Sequence, residues 1–370
     1  MSVEAELRVV AAAARAGVDA GALARRAGGP ARLLSATASR LDALGVVPGF
    51  AGELAAARRV DAGEYVAELE ARGIVCVARS DPAYPAPLLE LADPPLAVFA
   101  AGAGAGPPPA IPGRALAIVG ARRAGAPALA LARRLAAFAA GSGVCVVSGL
   151  ALGVDAAGHQ GALDAGGPTI AVLGCGPDVG YPRTNAGLHR RILDTGLVLS
   201  EYPPGTPPAP WRFPARNRLI AALAGAVLVV EARARSGALI TADHALDLGR
   251  DVLAVPGWAG SPAAAGTNGL LKAGAGMIES EEDLAAWLGL EPPSAAAPRA
   301  ADAALLAEMA CGPAHVEELA ARLGSPAHAL AAGLSRLELE GWVGRDDAGR
   351  YLVVRPLAPG GSGRSGTRRA

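Results

Sequence analysis

The chain has one lysine, Lys272, and Phe, Trp and Tyr together make up only 4% of its residues. Its four cysteines (Cys76, Cys145, Cys175, Cys311) form no CxxC pair and have no histidine at ligand spacing. A disulfide framework and a zinc site are therefore not expected, and a reducing compartment fits. No apolar stretch has the length and flanks of a membrane span. The opening residues Met1-Ser2-Val3-Glu4-Ala5-Glu6 carry acid where a signal peptide carries base, so a cytoplasmic protein with no membrane partner is expected. GxxxxGK[ST], HExxH and GxSxG are missing, as is any Asp/Glu cluster at metal spacing. The formal net charge is +0, which taken whole argues against a nucleic-acid partner.

Sorting that charge by region changes the picture. Residues 113–275 hold 15 Arg or Lys against 9 Asp or Glu, a local excess of +6, and acidic flanks balance it. The bias toward Ala, Gly, Pro and Arg reads as the imprint of a GC-rich genome, so alanine-rich runs carry little functional information. At 370 residues there is material for two or three domains. Residues 1–70 read as short helices broken by Gly and Pro, a helical domain of SAM-like or helix–hairpin–helix type. Within it, residues 41–50 form either a phosphate-touching hairpin turn or a plain helical turn. Residues 71–290 form the main domain, 291–300 a Pro/Ala linker, and 301–356 the helix-helix-helix-hairpin order of a winged helix. Residues 357–370 are Gly/Ser/Arg-rich and expected to be disordered.

In the main domain, apolar runs suited to buried strands fall at 115–119, 144–147, 169–173, 197–199, 227–230 and 252–255, separated by helix-length segments. Such alternation predicts βαβ units and an α/β, doubly wound, Rossmann-like parallel sheet. Ligands of such sheets sit beyond the carboxyl ends of the strands. Those ends carry Gly120 and Arg122, Ser148 and Gly149, Gly176, then Arg183 and Asn185, and finally Ser236 and Gly237. Small residues let backbone N–H groups approach an anion and arginines neutralise it, so the rim suits phosphate. The arginines of Gly120-Ala121-Arg122-Arg123-Ala124-Gly125 obstruct a dinucleotide turn, and Gly149-Leu150-Ala151-Leu152-Gly153 matches one poorly. No cofactor or metal is implied.

The stretch Trp211-Arg212-Phe213-Pro214-Ala215-Arg216-Asn217-Arg218 interleaves aromatics with cations ahead of a helix expected over 217–223. Single-stranded nucleic acid asks for that combination of π-faces and cations. In the plainer reading Trp211 and Phe213 plug the core, Phe213 being the better candidate, and the arginines pair with Glu201 and Glu231. Asp155 and His159, at i, i+4, form either an acid–base or ligand pair, or a first-turn aspartate beside a partly buried histidine. Ser148 is a nucleophile if a base reaches it and otherwise a turn cap. Cys175 is taken as a packing residue.

Taken together, Val119-Gly120-Ala121-Arg122, Val147-Ser148-Gly149-Leu150-Ala151 with Asp155 and His159, Leu173-Gly174-Cys175-Gly176 with Tyr181-Pro182, Leu199-Ser200-Glu201-Tyr202-Pro203, Phe213-Pro214-Ala215-Arg216-Asn217-Arg218, Ser236-Gly237-Ala238-Leu239-Ile240-Thr241 and Pro256-Gly257 resemble the DNA-processing protein A family (DprA, also called Smf). The resemblance is strongest from Ile118 to Ala275. It implies a dimeric, non-catalytic protein that binds and protects single-stranded DNA during natural transformation or recombination and helps load the recombinase RecA onto it. It assigns Arg122 and Arg183 to the DNA pocket. Ala121 departs from the family's usual hydroxyl residue and Leu152 from a common arginine. Two other readings compete. One is a nucleotide-processing enzyme of the lysine-decarboxylase-like phosphoribohydrolase type, whose Pro-Gly-Gly-x-Gly-Thr loop is replaced here by Arg235-Ser236-Gly237-Ala238. The other is a winged-helix transcription factor, disfavoured because residues 301–356 hold 8 acidic residues against 5 arginines.

Overall fold

A computed structural model describes residues 3–18, 21–59, 61–105, 113–292, 300–309, 312–339, 342–346 and 349–353. Most of the expected linker and the whole expected tail, 357–370, lie outside these residues. The chain divides into two compact units, 1–293 and 294–370.

The first unit opens with six helices: α1 (Val3–Ala16), α2 (Gly21–Ala27), α3 (Pro30–Leu34), α4 (Ala38–Ala43), α5 (Pro48–Ala57) and α6 (Ala62–Glu70). Two strands follow, β1 (Ile74–Ala78) and β2 (Ala97–Ala101). The regular βα alternation then runs β3 (Ala115–Val119), α7 (Ala126–Gly141), β4 (Cys145–Ser148), α8 (Val154–Asp164), β5 (Thr169–Leu173), α9 (Ala186–Thr195) and β6 (Leu197–Ser200). It continues through α10 (Arg212–Ala222), β7 (Ala226–Val229), α11 (Gly237–Asp247), β8 (Asp251–Ala254), α12 (Ala265–Lys272), β9 (Gly276–Met277) and α13 (Glu281–Leu288).

The strands form one nine-stranded sheet in the order β1-β2-β6-β5-β4-β3-β7-β8-β9. From β6 to β9 every pairing is parallel. The sheet has three strands more than the alternation alone predicts: β2 adds antiparallel to β6, β1 antiparallel to β2, and the short β9 parallel to β8. Side chains alternate across it. Leu116 and Ile118 join α7, α8 and α13 in one core, whereas Ala117 and Val119 join α10 and α11 in another. Helices thus cover both faces, as a parallel sheet requires.

A third core ties α1–α6 to the sheet: Val9, Phe50 and Leu54 cluster with Ile74, Ala97, Phe99 and Ala101. One charged group crosses this seam. Glu6, on α1, is fully buried and accepts hydrogen bonds from the Ser80 N–H (2.8 Å) and hydroxyl (2.7 Å), with Arg79 at 3.3 Å. A buried carboxylate is tolerable only when satisfied in this way.

Helix α10 starts at Arg212, not at 217 as the sequence suggests. Pro214 occupies its first turn, where the missing N–H removes no intrahelical bond.

The second unit comprises α14 (Ala300–Met309), α15 (Val316–Leu323), α16 (Ala327–Leu339) and the antiparallel hairpin β10 (Val343–Arg345) and β11 (Tyr351–Val353). Leu306, Leu319, Leu334, Leu337 and Trp342 form its core. This is the expected helix-helix-helix-hairpin order.

Candidate nucleic-acid interface

In the sheet, β4 lies on one side of β3 and β7 on the other, so strand order reverses between β3 and β7. Such a switch point opens a crevice beyond the carboxyl ends. Here it holds a pocket of about 240 Å³ lined by Gly120, Arg122, Phe213, Arg216, Asn217, Ser236 and Gly237, among others.

Two glycines make the crevice possible. A Cβ on Gly120 would stand 2.7 Å from Val154 and 3.1 Å from the Glu231 carbonyl. Gly153 has φ +79°, and a Cβ there would collide with the Ala121 carbonyl. Only residues without a side chain let the loops after β3 and β4 touch.

The pocket wall is aromatic and cationic. Phe213 stacks on Tyr181 with centroids 5.4 Å apart and planes 23° from parallel. The exposed Arg122 places its guanidinium over the Phe213 ring, 5.6 Å from the centroid. Phe213 is half-buried and Tyr181 is 41% exposed. The pair is therefore neither a core plug nor a free surface group. Arg183 is exposed two residues beyond Tyr181, in a short 3-10 turn (Arg183–Asn185) that leads into α9.

Beneath the pocket lies a buried frame. Asp155 accepts hydrogen bonds from the N–H of Gly149 (3.1 Å) and of Ala151 (3.4 Å). Arg216 donates from the other side to the carbonyls of Gly149 (2.7 Å) and Val172. Opposite charges thus hold the flanking peptides of one glycine. Burial pushes the Asp155 carboxyl up, and Arg216 opposes the shift. Burial pushes the Arg216 guanidinium down, and Asp155 opposes that. Between them Leu150 sits at φ +55°, fully buried, a strained conformation that the frame sustains. The Asn185 amide donates to the carbonyls of Leu150 and Ala151, and that of Asn217 to Gly237, so both asparagines brace loops.

Several expectations are corrected here. Ser148 neither caps a turn nor faces a ligand: it is fully buried and its hydroxyl donates to the Ile118 carbonyl at 2.6 Å. The Gly149 N–H is taken by Asp155 and the Gly176 N–H by the Thr206 carbonyl at 2.9 Å, so neither points at an anion. Arg216 is only 3% exposed and acts from below as an interior cation. Arg218 pairs with Glu201 at 2.5 Å and Asp93 at 3.4 Å in a separate pocket beside α1 and α2. Trp211, 54% exposed, lines that second pocket, held edge-on to Tyr202 with Arg212 over both rings.

Gly120, Arg122, Arg216, Asn217, Ser236 and Gly237 do come together at the switch point. Ser236 caps α11, its hydroxyl accepting from the Ala238 N–H at 3.4 Å, and a Cβ on Gly237 would meet open space. Asp155 falls in the first turn of α8, as the plainer reading has it. His159 is fully buried, bonded through Nδ1 to Thr169 at 2.7 Å, with its pKa pushed down to about 3 chiefly by burial. Cys175 is buried and its thiol is pushed up to about 11, again by burial. Tyr181 is the residue whose part the sequence reading missed. The motif Tyr181-Pro182 was visible, but its stacking on a side chain 32 positions away was not.

The rim cations have one further property. Arg122, Arg123, Arg183, Arg233 and Arg235 are exposed and have no ion-pair partner among the described residues. Away from this edge the pattern is mixed: Arg133 and Arg191 share Asp164, Arg134 holds Glu281 and Arg250 holds Glu90, while Arg25, Arg26, Arg40 and Arg190 are also exposed with no ion pair among the described residues. Among the described residues no three His, Cys, Asp or Glu side chains group as metal ligands, and no helix is long and apolar enough to cross a membrane.

The family model described as DNA recombination-mediator protein A matches residues 75–289, and a DprA winged helix domain matches residues 281–349. A putative DNA processing protein DprA from Mycobacterium tuberculosis is 48% identical over 176 residues, which cover 48% of this chain and 45% of that one. The chain thus spans about half the length of such curated relatives. The X-ray structure of DNA processing protein A from Streptococcus pneumoniae superposes with a TM-score of 0.63 at 30% identity, covering 77% of this chain and 98% of that one. The corresponding protein from Helicobacter pylori, in a structure that addresses its single-stranded DNA binding mode, gives a TM-score of 0.51 at 29% identity over 58% of this chain and 95% of that one.

Proposed function

The chain belongs to the DNA recombination-mediator protein A family, and from that premise we propose that its switch-point pocket binds single-stranded DNA without cleaving it. The observation that carries this reading is the set of exposed arginines with no carboxylate partner around a stacked Phe213–Tyr181 pair. In this reading a base rests in the pocket against Phe213, capped by Arg122. Flanking phosphates meet Arg122 and Arg183, and the α11 N-terminus at Ser236 and Gly237 offers N–H groups to the anion. Arg216 contributes its charge from beneath, while Asn185 and Asn217 hold the loops in place.

A binding role is supported by where the reactive side chains lie. Ser148, Asp155 and His159 are buried and engaged inside the fold. By family likeness the bound strand is delivered to RecA, and the working form is a homodimer in the cytoplasm. The test is fluorescence anisotropy with single- and double-stranded oligonucleotides of one sequence, beside an assay for nucleotide release. Preference for the single strand with no released nucleotide supports the reading. Equal affinity for both forms, or turnover, overturns it. Sedimentation of the free protein tests the dimer, and RecA filament growth on strands precoated with a single-strand-binding protein tests delivery.

A further inference from the structure

Trp258 is 85% exposed, the largest exposure among the large apolar side chains described. It stands in the loop after β8, on the same carboxyl edge of the sheet as the proposed pocket, two strands beyond β3. A lone exposed apolar residue normally needs no explanation, but the surroundings of this one are built. The Asn268 side chain donates to the Gly257 carbonyl and accepts from the Gly257 N–H, both at 3.0 Å. The Trp258 carbonyl accepts from Ser261 N–H at 3.0 Å. At the start of α12, the Gly266 N–H bonds the Ala232 carbonyl at 2.7 Å. A Cβ on Gly266 would stand 2.6 Å from the Arg233 carbonyl. The segment bearing the tryptophan is thereby fastened to the loop after β7, which presents exposed Arg233 and Arg235 without carboxylate partners.

We infer that the single-strand track continues past the pocket along this edge, over Arg233 and Arg235, and ends with a base stacked on Trp258. The inference rests on the proposed reading of the pocket and adds a second stacking platform to it. Neighbouring strands lie about 4.8 Å apart, so β3 and β8 are separated by about 10 Å. At about 3.4 Å per stacked nucleotide, about three nucleotides span that gap. The order along the edge is then aromatic pair, Arg122, the two β7-loop arginines and the indole. That alternation of π-face and cation suits a strand of any sequence. Trp211 is a weaker candidate for the same part, because its pocket is walled by Glu201 and Asp93.

The test compares Trp258→Ala, Trp258→Phe and Arg122→Ala in the full chain. Each is titrated at one salt concentration with thymidine oligonucleotides of about two nucleotides, too short to span that gap, and of about twelve, within the range one domain engages. Trp258→Ala should weaken the longer oligonucleotide by about 5- to 150-fold and leave the shorter one unchanged, and Trp258→Phe should restore most of the loss. If Trp258→Ala changes neither while Arg122→Ala abolishes binding, the extended track is wrong and the pocket reading stands. If neither substitution changes either affinity, the pocket reading falls and takes the extension with it. A Trp258→Ala protein that sediments differently but binds both oligonucleotides normally assigns the indole to a protein contact and overturns the inference.

Discussion

The carboxyl edge of the main sheet and the winged-helix unit use arginine in opposite ways. Along the edge, Arg122, Arg123, Arg183, Arg233 and Arg235 are exposed and lack carboxylate partners among the described residues. In the second unit all four described arginines are engaged: Arg322 with Glu308, Arg336 with Asp302, Arg345 with Glu338 and Arg350 with Asp346. Arg345 also lies 4.5 Å from the Tyr351 ring centroid. Net charge alone predicts part of this contrast, but pairing sharpens it. An arginine whose fork already grips a carboxylate must break that grip to take a phosphate, whereas an unpartnered one sheds only water and counterions. A duplex reader needs several available cations on its recognition helix. Here the counterpart α16 offers Arg336, which Asp302 holds at 2.6 Å.

The comparison is broken or upheld most directly by Arg122→Ala with Arg183→Ala. If both meet phosphates, the double variant should lose about 3–6 kcal/mol of single-strand affinity with an unchanged melting temperature. Its log Kd against log salt slope should also flatten by about 1.4. An unchanged slope in the folded protein would remove both residues from the interface. Next in size is Phe213→Ala, expected to cost about 1–3 kcal/mol of binding. Since Phe213 is only half-buried against Tyr181, stability should fall by about 0.5–1.5 kcal/mol from the lost ring pair, as read by denaturant unfolding. A large loss of stability with normal affinity per folded molecule would make Phe213 structural.

Ending the chain at Pro293 should change single-strand affinity by less than about tenfold, because among the described residues the exposed arginines without carboxylate partners lie upstream, in a unit with its own cores. A drop of about a hundredfold or more in the well-folded truncation would place the main site in the other unit. The smallest binding effect is expected of Arg336→Ala. It should leave affinity unchanged yet lower the melting point of the second unit, since Asp302, with 4% side-chain exposure, loses its partner.

The main-domain strands were legible because apolar runs of strand length between helical segments have few alternative uses. Each of the six expected ones was placed to within one or two residues of its observed ends, while the two-residue β9 was not expected. The antiparallel addition of β1 and β2 was not, since edge pairing leaves no periodic signature. Of the glycines at the strand ends, Gly120 and Gly237 line the switch-point pocket, whereas Gly149 and Gly176 do not. What each arginine there does was only partly legible: the plainer reading pairs them with Glu201 and Glu231, and Arg218 does hold Glu201, but no local signal shows that it also finds Asp93 across 125 positions. Arg216 read as a surface cation because nothing local announces that Gly149 and Val172 will bring carbonyls to it. For Phe213 the sequence leaves a stacking aromatic and a core plug both open, and the fold places it half-buried against Tyr181.

Glu6 has a bearing on how this chain can be cut and recombined. By locking α1 onto Ser80 it makes the opening helices a stopper for the sheet's first two strands, not a detachable accessory. A version starting after Glu70 would bare Ile74, Ala97 and Phe99 and leave the Ser80 N–H without its acceptor. It should precipitate more readily than the protein cut at the other end. A helical segment borrowed from a relative would fit only if it carried a carboxylate at the place of Glu6. The boundary between the two compact units falls near residue 293, and gene fusions or swaps belong there.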